Sequence, residues 1–422
     1  MEINGAWMIM ALALGMVLTV TKAADPDILT DFVTGSGSVI VDENFFTFRG
    51  FREIGNNNLT GQATAKVTKA AMAEFPGVTG LGVSMAVLQF PAGGVNPPHT
   101  HPRASELLLV LYGTLEVGFV DTTGKLFTQT LEGGDVFVFP KGLLHFQLNK
   151  FDNDEAIAIS GFGSANAGTV SVPTALFASG ISDDVLVKSF KTDYKTVDAL
   201  KQALKPTLVS SCKKKKMEIN GAWMIMALAL GMVLTVTKAA DPDILTDFVT
   251  GSGSVIVDEN FFTFRGFREI GNNNLTGQAT AKVTKAAMAE FPGVTGLGVS
   301  MAVLQFPAGG VNPPHTHPRA SELLLVLYGT LEVGFVDTTG KLFTQTLEGG
   351  DVFVFPKGLL HFQLNKFDND EAIAISGFGS ANAGTVSVPT TLFASGISDD
   401  VLVKSFKTDY KTVDALKQAL KP

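Results

Sequence analysis

The sequence predicts an all-β fold made twice over: two jelly-roll sandwiches or barrels, each followed by a short helical C-terminal appendage. Three observations carry that reading. Residues 1–206 recur at 217–422 with a constant offset of 216, differing only at Ala175 against Thr391; a repeat of that length is a whole domain, not a solenoid unit of roughly 20–50 residues. Within each copy, short runs rich in Val, Leu, Ile and Phe are separated by Gly, Pro, Asp and Asn, the pattern of many short strands. All six histidines fall in one motif that each copy carries once: His99, His101 and His145, then His315, His317 and His361.

Each copy opens on a hydrophobic segment. No charge occurs from Ile3 to Thr21, and the strongly apolar part runs from Ala6 to Val20. That is short for a membrane span, which needs roughly 20 apolar residues, and it suits a signal-peptide core, although Glu2 stands where Lys or Arg is usual. Ala23 and Ala24 precede the polar Asp25-Pro26-Asp27. We therefore expect residues 1–24 to be a signal peptide, 217–240 its repeat, and 25–206 and 241–422 the two mature domains. With these segments cleaved, no stable membrane insertion is expected. Secretion gives meaning to Asn58-Leu59-Thr60 and Asn274-Leu275-Thr276, N-glycosylation acceptors in polar, loop-like stretches.

The strands follow in order. In the first copy they are expected at Leu81–Phe90, Glu106–Tyr112, Thr114–Asp121, Leu126–Leu131, Asp135–Phe139, His145–Lys150, Ala156–Phe162 and Thr169–Val172, with turns such as Thr122-Thr123-Gly124 and Glu132-Gly133-Gly134 between them. Helical pattern appears only late. Ser182-Asp183-Asp184 can cap a helix through Phe190, and Thr196 can cap another ending near Leu204. Val197, Leu200 and Leu204 give that last helix an apolar stripe to bury on its own barrel or on a neighbour.

Charge and cysteine content narrow the function. Four of the 32 basic residues are Lys213–Lys216, between the copies; each copy has 14 Lys and Arg against 20 Asp and Glu, a net −6. An acidic domain without a basic patch argues against a nucleic-acid partner. The single cysteine, Cys212, lies in the segment 207–216, so the domains must be stabilised by an apolar core without disulfides, which their length allows. Residues 207–216 read as a linker or as an artefact of two neighbouring genes joined in one reading frame. A real tandem would leave Ile219–Thr237 between two exported domains, with Lys213–Lys216 on the exported side, against the tendency of positive charge to stay in the cytoplasm.

The histidine motif is a candidate metal site. On a strand His99 and His101 share a face, with backbones about 6.5–7 Å apart, close enough for one ion. Glu106 has the opposite parity and can join them only if Pro102–Ser105 restarts the register. His145 follows a Pro140-Lys141-Gly142 turn and can reach the same ion from a later strand. The second copy offers His315, His317, Glu322 and His361. Three imidazoles and a carboxylate, with no thiolate, suit Mn or Fe and, less well, Zn, and they leave positions open in a six-coordinate shell. Because the ligands must be deprotonated, occupancy is expected to fall through the histidine range, around 6.5.

These residues resemble the two sequence boxes of germins and germin-like proteins, plant extracellular cupins. Gly93, His99, His101, Glu106 and Gly113 meet every position of the first box; Gly134, Pro140, Gly142, His145 and Asn149 meet the second. The opening Asp25-Pro26-Asp27 and the run from Asn96 to Ala104 are similar to germins in particular. The resemblance covers 25–206 and 241–422. It implies a cupin barrel in each copy, one manganese ion per barrel held by the four ligands, secretion to the apoplast, and a homo-oligomer, a trimer of dimers, joined through the C-terminal helices. Two departures matter. Germins tether their N-terminal arm with a cysteine pair, and Val33 stands where the first is expected, so the arm is expected to be held by packing alone. Oxalate-oxidising germins place an asparagine where this chain has Ala86 and Ala302; Asn96 and Asn312 match another, as second-sphere residues. Losing a buried amide that would bond the substrate costs roughly 1–3 kcal/mol.

The reading ranked first is thus a secreted manganese-binding germin-like protein with superoxide dismutase activity, acting on superoxide or another small molecule. The alternatives are an oxalate oxidase, disfavoured by Ala86, and a non-catalytic extracellular binding or storage protein. Storage proteins of two cupins have diverged halves that have generally lost the ligands, whereas both halves here keep all four.

Overall fold

The computed structural model describes residues 28, 30–34, 40–54, 59, 61–151, 153–204, 244, 246–250, 257–271, 275, 277–366 and 370–421. The expected signal segments, residues 207–216 and the acceptors Asn58 and Asn274 lie outside them. Among the described residues no helix is long and apolar enough to cross a membrane.

The fold is all-β with a helical tail in each copy. The first copy forms β1 (Thr47–Phe48), β2 (Lys66–Ala70), β3 (Ser84–Phe90), β4 (Val95–Thr100), β5 (Glu106–Tyr112), β6 (Thr114–Val120), β7 (Leu126–Glu132), β8 (Val136–Phe139), β9 (Leu144–Leu148), β10 (Ala156–Phe162) and β11 (Val170–Ser171), then helices Val172–Phe177, Asp183–Phe190 and Tyr194–Ala203. The second copy repeats this order from β12 (Thr263–Phe264) through β19 (Val352–Phe355) to β22 (Val386–Ser387). Strands β5 and β10 have the predicted bounds, and the other predicted runs are shifted by one to three residues. The caps need correction. Asp193, not Thr196, caps the last helix: its carboxylate accepts from the Thr196 backbone N–H at 2.8 Å, since an acceptor at the N-cap serves the amide three residues on. Ser182 holds the N-cap position of the preceding helix without a side-chain bond.

Each copy is built of two antiparallel sheets. In the first copy the strand orders are β12-β8-β5-β10-β3-β2 and β11-β4-β9-β6-β7. Fully buried side chains such as Leu107, Phe119, Phe137 and Phe139 form the core. The first order contains a strand from the other copy. β12 pairs with β8 (Thr263 opposite Phe137), and β1 pairs with β19 (Thr47 opposite Phe353), so each copy lends its first strand to its neighbour's sheet. The preceding phenylalanines go with them: Phe262 lies 4.8 Å from Phe119, and Phe46 lies 4.8 Å from Phe335, centroid to centroid and edge-on. Beside these strands Arg268 grips the fully buried Asp135 through Nε at 2.5 Å and Nη2 at 2.6 Å, and Arg52 grips Asp351 in the same way. The copies approach so closely that a Cβ built on Gly163 would stand 2.1 Å from the Gly298 carbonyl oxygen, so only glycine fits there.

The N-terminal arm is held by more than packing, correcting the expectation drawn from Val33. Ile28 and Phe32 pack on the core, and the Ile28 and Val33 methyls both lie close to Gly80. In addition the Asp31 carboxylate accepts from the backbone N–H of Thr338 at 2.9 Å and from its hydroxyl at 2.8 Å. Hydrogen bonds to the other copy thus act where a disulfide is missing.

Candidate metal centre

Local backbone geometry brings the four predicted ligands together in each copy. β4 carries Pro97 and Pro98, which cannot donate to a ladder, and its register against β9 shifts between Asn96 and His99, restoring a pairing of His99 with His145. The strand ends at Thr100, residues 101–105 run irregularly, and Glu106 opens β5. The register thus restarts as Glu106 required. His145 follows the Pro140–Gly142 turn into β9. His99, His101, Glu106 and His145 are buried, as are His315, His317, Glu322 and His361, and within each group the candidate ligand atoms lie within 4.8 Å of one another.

Hydrogen bonding fixes which atoms face inward. The Nδ1 of His99 lies 2.8 Å from the Pro97 carbonyl, the Nδ1 of His145 lies 2.8 Å from the Leu143 carbonyl, and the Nδ1 of His101 bonds the Gly168 carbonyl. A carbonyl only accepts, so each Nδ1 must donate and each Nε2 presents a lone pair. The Nε2 atoms of His101 and His145 stand 3.0 and 3.1 Å from the same Glu106 oxygen, Oε2. Neutral imidazoles and a carboxylate gathered this tightly repel unless a proton or a metal ion sits among them. The donor set therefore fits a metal ion.

Surrounding side chains hold the ligands. The other Glu106 oxygen, Oε1, accepts from Ser160 Oγ at 2.5 Å and from Gln147 Nε2 at 3.5 Å, and Gln147 in turn accepts from Asn96 Nδ2 at 2.7 Å. Phe139 stacks on His145 at 4.6 Å. Arg103 binds the Asn166 carbonyl at 2.5 Å and its side-chain oxygen at 2.8 Å, fixing the loop whose Gly168 carbonyl orients His101. The second copy repeats this network, with Ser376 at 2.5 Å and Gln363 at 3.4 Å on Glu322, and Asn312 at 2.8 Å on Gln363. Asn96 and Asn312, expected as second-sphere residues, occupy that position. Ser160, Gln147 and Arg103 were not anticipated. Gln147 had a signal, two residues after His145 on the same strand face; Ser160 had a weaker one, a polar residue within an apolar run.

Burial, more than any neighbour, pushes the imidazole of His99 down to about 4, with repulsion from His145 adding to it; His315 behaves alike. Burial opposes the charge of Glu106, yet hydrogen bonds with the His101 and His145 imidazoles, made while no metal occupies their Nε2 atoms, hold its carboxyl well below the usual range, and Glu322 matches it. The His99 imidazole therefore stays unprotonated well below pH 6.5, ready to ligate.

Above the ligands a pocket opens, about 150 Å3 in the first copy and about 140 Å3 in the second. Val67, Ala86, Leu88 and Phe162 supply apolar wall, and Lys69, Asn96 and Asn166 supply polar groups. Ala86 and Ala302 thus face the pocket, where the missing amide would have been.

A family model described as Cupin matches residues 54–198 and again 270–414. The chain is 52% identical over 204 residues to Germin-like protein 9-3 of Oryza sativa subsp. japonica, a match covering 47% of this chain and 95% of that protein. It is 41% identical over 213 residues to Germin-like protein subfamily 2 member 2 of Arabidopsis thaliana, covering 47% and 95%. Among solved structures it is similar to oxalate decarboxylase from Bacillus subtilis, with TM-score 0.63 and 16% identity over 90% of this chain and 86% of that one. A second structure of that enzyme, from work on its Mn(II) centres, gives TM-score 0.64 and 17% identity over 91% and 89%. Identity this low shows a shared two-barrel fold and nothing finer.

Proposed function

This chain belongs to the germin-like proteins of the cupin family, and we propose that it is a secreted protein holding one manganese ion in each half and dismutating superoxide. One observation carries the metal: four acceptor groups converge, each imidazole turned by a backbone carbonyl so that its lone pair faces inward. Hard carboxylate and imidazole without thiolate favour manganese over a soft metal. Manganese, when bound, supplies one-electron redox chemistry at positions the protein leaves open. The protein contributes ligand orientation, through Pro97, Leu143, Gly168, Ser160 and Gln147, and a pocket narrow enough to limit access. Superoxide needs an open position and no orienting amide, so Ala86 and Ala302 are tolerated, whereas oxalate turnover is expected to be weak.

Assembly and location belong to the same reading. The interlocked copies make a dimer-like unit, and Phe190, Tyr194 and Leu200 remain exposed on the helical tails. Three such units joined through those tails would form the trimer of dimers, and the hydrophobic segments at 1–24 and 217–240 support export.

The test is metal analysis of the purified full chain alongside superoxide and oxalate assays. We expect close to one manganese per copy and dismutation with little peroxide from oxalate. His101→Ala with His317→Ala, or His145→Ala with His361→Ala, should abolish most of the metal. Full metal retention in both variants refutes the site, and inactivity of the loaded protein in both assays refutes the dismutase reading while leaving the metal.

A further inference from the structure

We propose that Lys69, and Lys285 in the second copy, make the outer end of the metal pocket a binding site for a small organic monocarboxylate with an apolar body. Lys69 is the one lysine or arginine lining the first pocket, as Lys285 is in the second. Both are exposed, and neither side-chain ammonium has a hydrogen bond or ion pair among the described residues. In a domain of net charge −6, a cation left without a partner at the mouth of a pocket draws anions to it.

Register places the lysine in line with the ligands. Lys69 lies on the edge strand β2 directly opposite Ala86 of β3, and Ala86 lies directly opposite Ser160 of β10. Residues directly opposite in neighbouring strands share a face. One row across the sheet therefore runs from Lys69 over Ala86 to Ser160, whose hydroxyl bonds the ligand Glu106. Two strand spacings of about 4.8 Å separate the backbones of Lys69 and Ser160 by about 10 Å, and the four-carbon lysine stem spans much of that. Room for a few carbons remains over Ala86.

The walls define the rest of the ligand. Val67, Ala86, Leu88 and Phe162 are apolar, so a carboxylate at Lys69 must be followed by hydrocarbon. A purely inorganic anion would leave those walls unused. This rests on the metal reading for the inner end of the ligand only.

Butyrate is the probe. Its binding to the as-isolated full chain is measured by saturation-transfer NMR, with metal content measured in the same samples. We expect saturable binding that weakens with added salt, at least tenfold weaker binding in Lys69→Met with Lys285→Met, and recovery in Lys69→Arg with Lys285→Arg. Metal content should be the same in all three. Undetectable binding to the unaltered chain, equal affinity in the Met variant, or no recovery with Arg overturns the proposal. Absence of metal from every sample overturns the proposed function instead, since the lysine dependence of butyrate binding is read without it.

Discussion

Two buried polar assemblies occur in each half of the molecule and resolve their charges in opposite ways. At the metal centre, His99, His101, His145 and Glu106 present acceptors to one another, and the arrangement needs a cation from solution. At the seam between the copies, Arg268 brings donors to the fully buried Asp135 at 2.5 and 2.6 Å, and the protein supplies both partners. The centre should therefore be sensitive to protons and metal but indifferent to the other copy, and the seam the reverse.

Acid is the strongest way to separate them. Burial lowers His99 to about 4, against about 6.5 in an unfolded chain. The metal-free fold has its full stability from this group above pH 6.5. As pH falls towards 4, the unfolded chain takes up a proton that the folded one refuses, and stability drops by up to about 1.4 kcal/mol per pH unit for each copy. Urea midpoints of metal-free protein between pH 7.5 and 5 should fall accordingly, and metal-loaded protein should fall less. A metal-free midpoint that stays flat, or falls no more steeply than in His99→Leu with His315→Leu, would break the contrast.

Next in size is the seam. Removing one partner of a fully buried ion pair costs about 3–5 kcal/mol. Here Arg268 is 40% exposed, so Arg268→Ala is expected to cost about 2–3 kcal/mol after discounting for solvent. Arg52→Ala should match it. Chemical denaturation checks the size, and metal content should not change; loss of metal on cutting the seam would show that the two assemblies are coupled.

A smaller effect sharpens the metal side. Ser160 and Gln147 touch Glu106 without facing the ion, and removing such support typically lowers metal affinity about 10–100-fold. Ser160→Ala with Ser376→Ala should do so, read by competition with a chelator, while the metal-free protein denatures almost as before. Unchanged affinity would mean that Gln147 and the imidazoles orient the carboxylate without Ser160.

How far each assembly could be read from sequence follows from the same contrast. The ligands were legible because they lie in one copy at strand spacing, between runs such as Glu106–Tyr112 and Ala156–Phe162 whose apolar character is continuous. The seam was not, because it depends on contacts across copies. β1 and β12 are two residues long, too short to show a period, and nothing around Arg52 marks it as the partner of Asp351. β2 was missed because Lys66, Val67 and Lys69 are all exposed on an edge, which leaves no clean alternation. β4 was legible only through its histidines, since Pro97 and Pro98 argue against a strand. Thr196 was read as a cap because it is a good cap type; Asp193, three residues earlier, starts the helix instead and accepts from the Thr196 amide.

The smallest expected effect tests how the arm is fixed to the seam. Asp31 accepts two hydrogen bonds from Thr338 of the other copy, both exposed, so their net worth should be near the usual 0.5–1.5 kcal/mol, about 1 kcal/mol. Asp31→Ala should therefore lower stability slightly and make the arm easier to cut by a protease, while Asp31→Asn, which keeps one oxygen to accept, should lie near the unaltered chain. If packing of Ile28 and Phe32 alone held the arm, Asp31→Ala would be neutral and Phe32→Ala would carry the whole effect. If the hydrogen bonds act together with that packing, both variants should expose the arm, and only Asp31→Ala should do so without loosening the phenylalanine cluster of Phe32, Phe46 and Phe343. Proteolysis rates of the two variants, compared at equal metal content, decide between a packed arm and one tied to its neighbour.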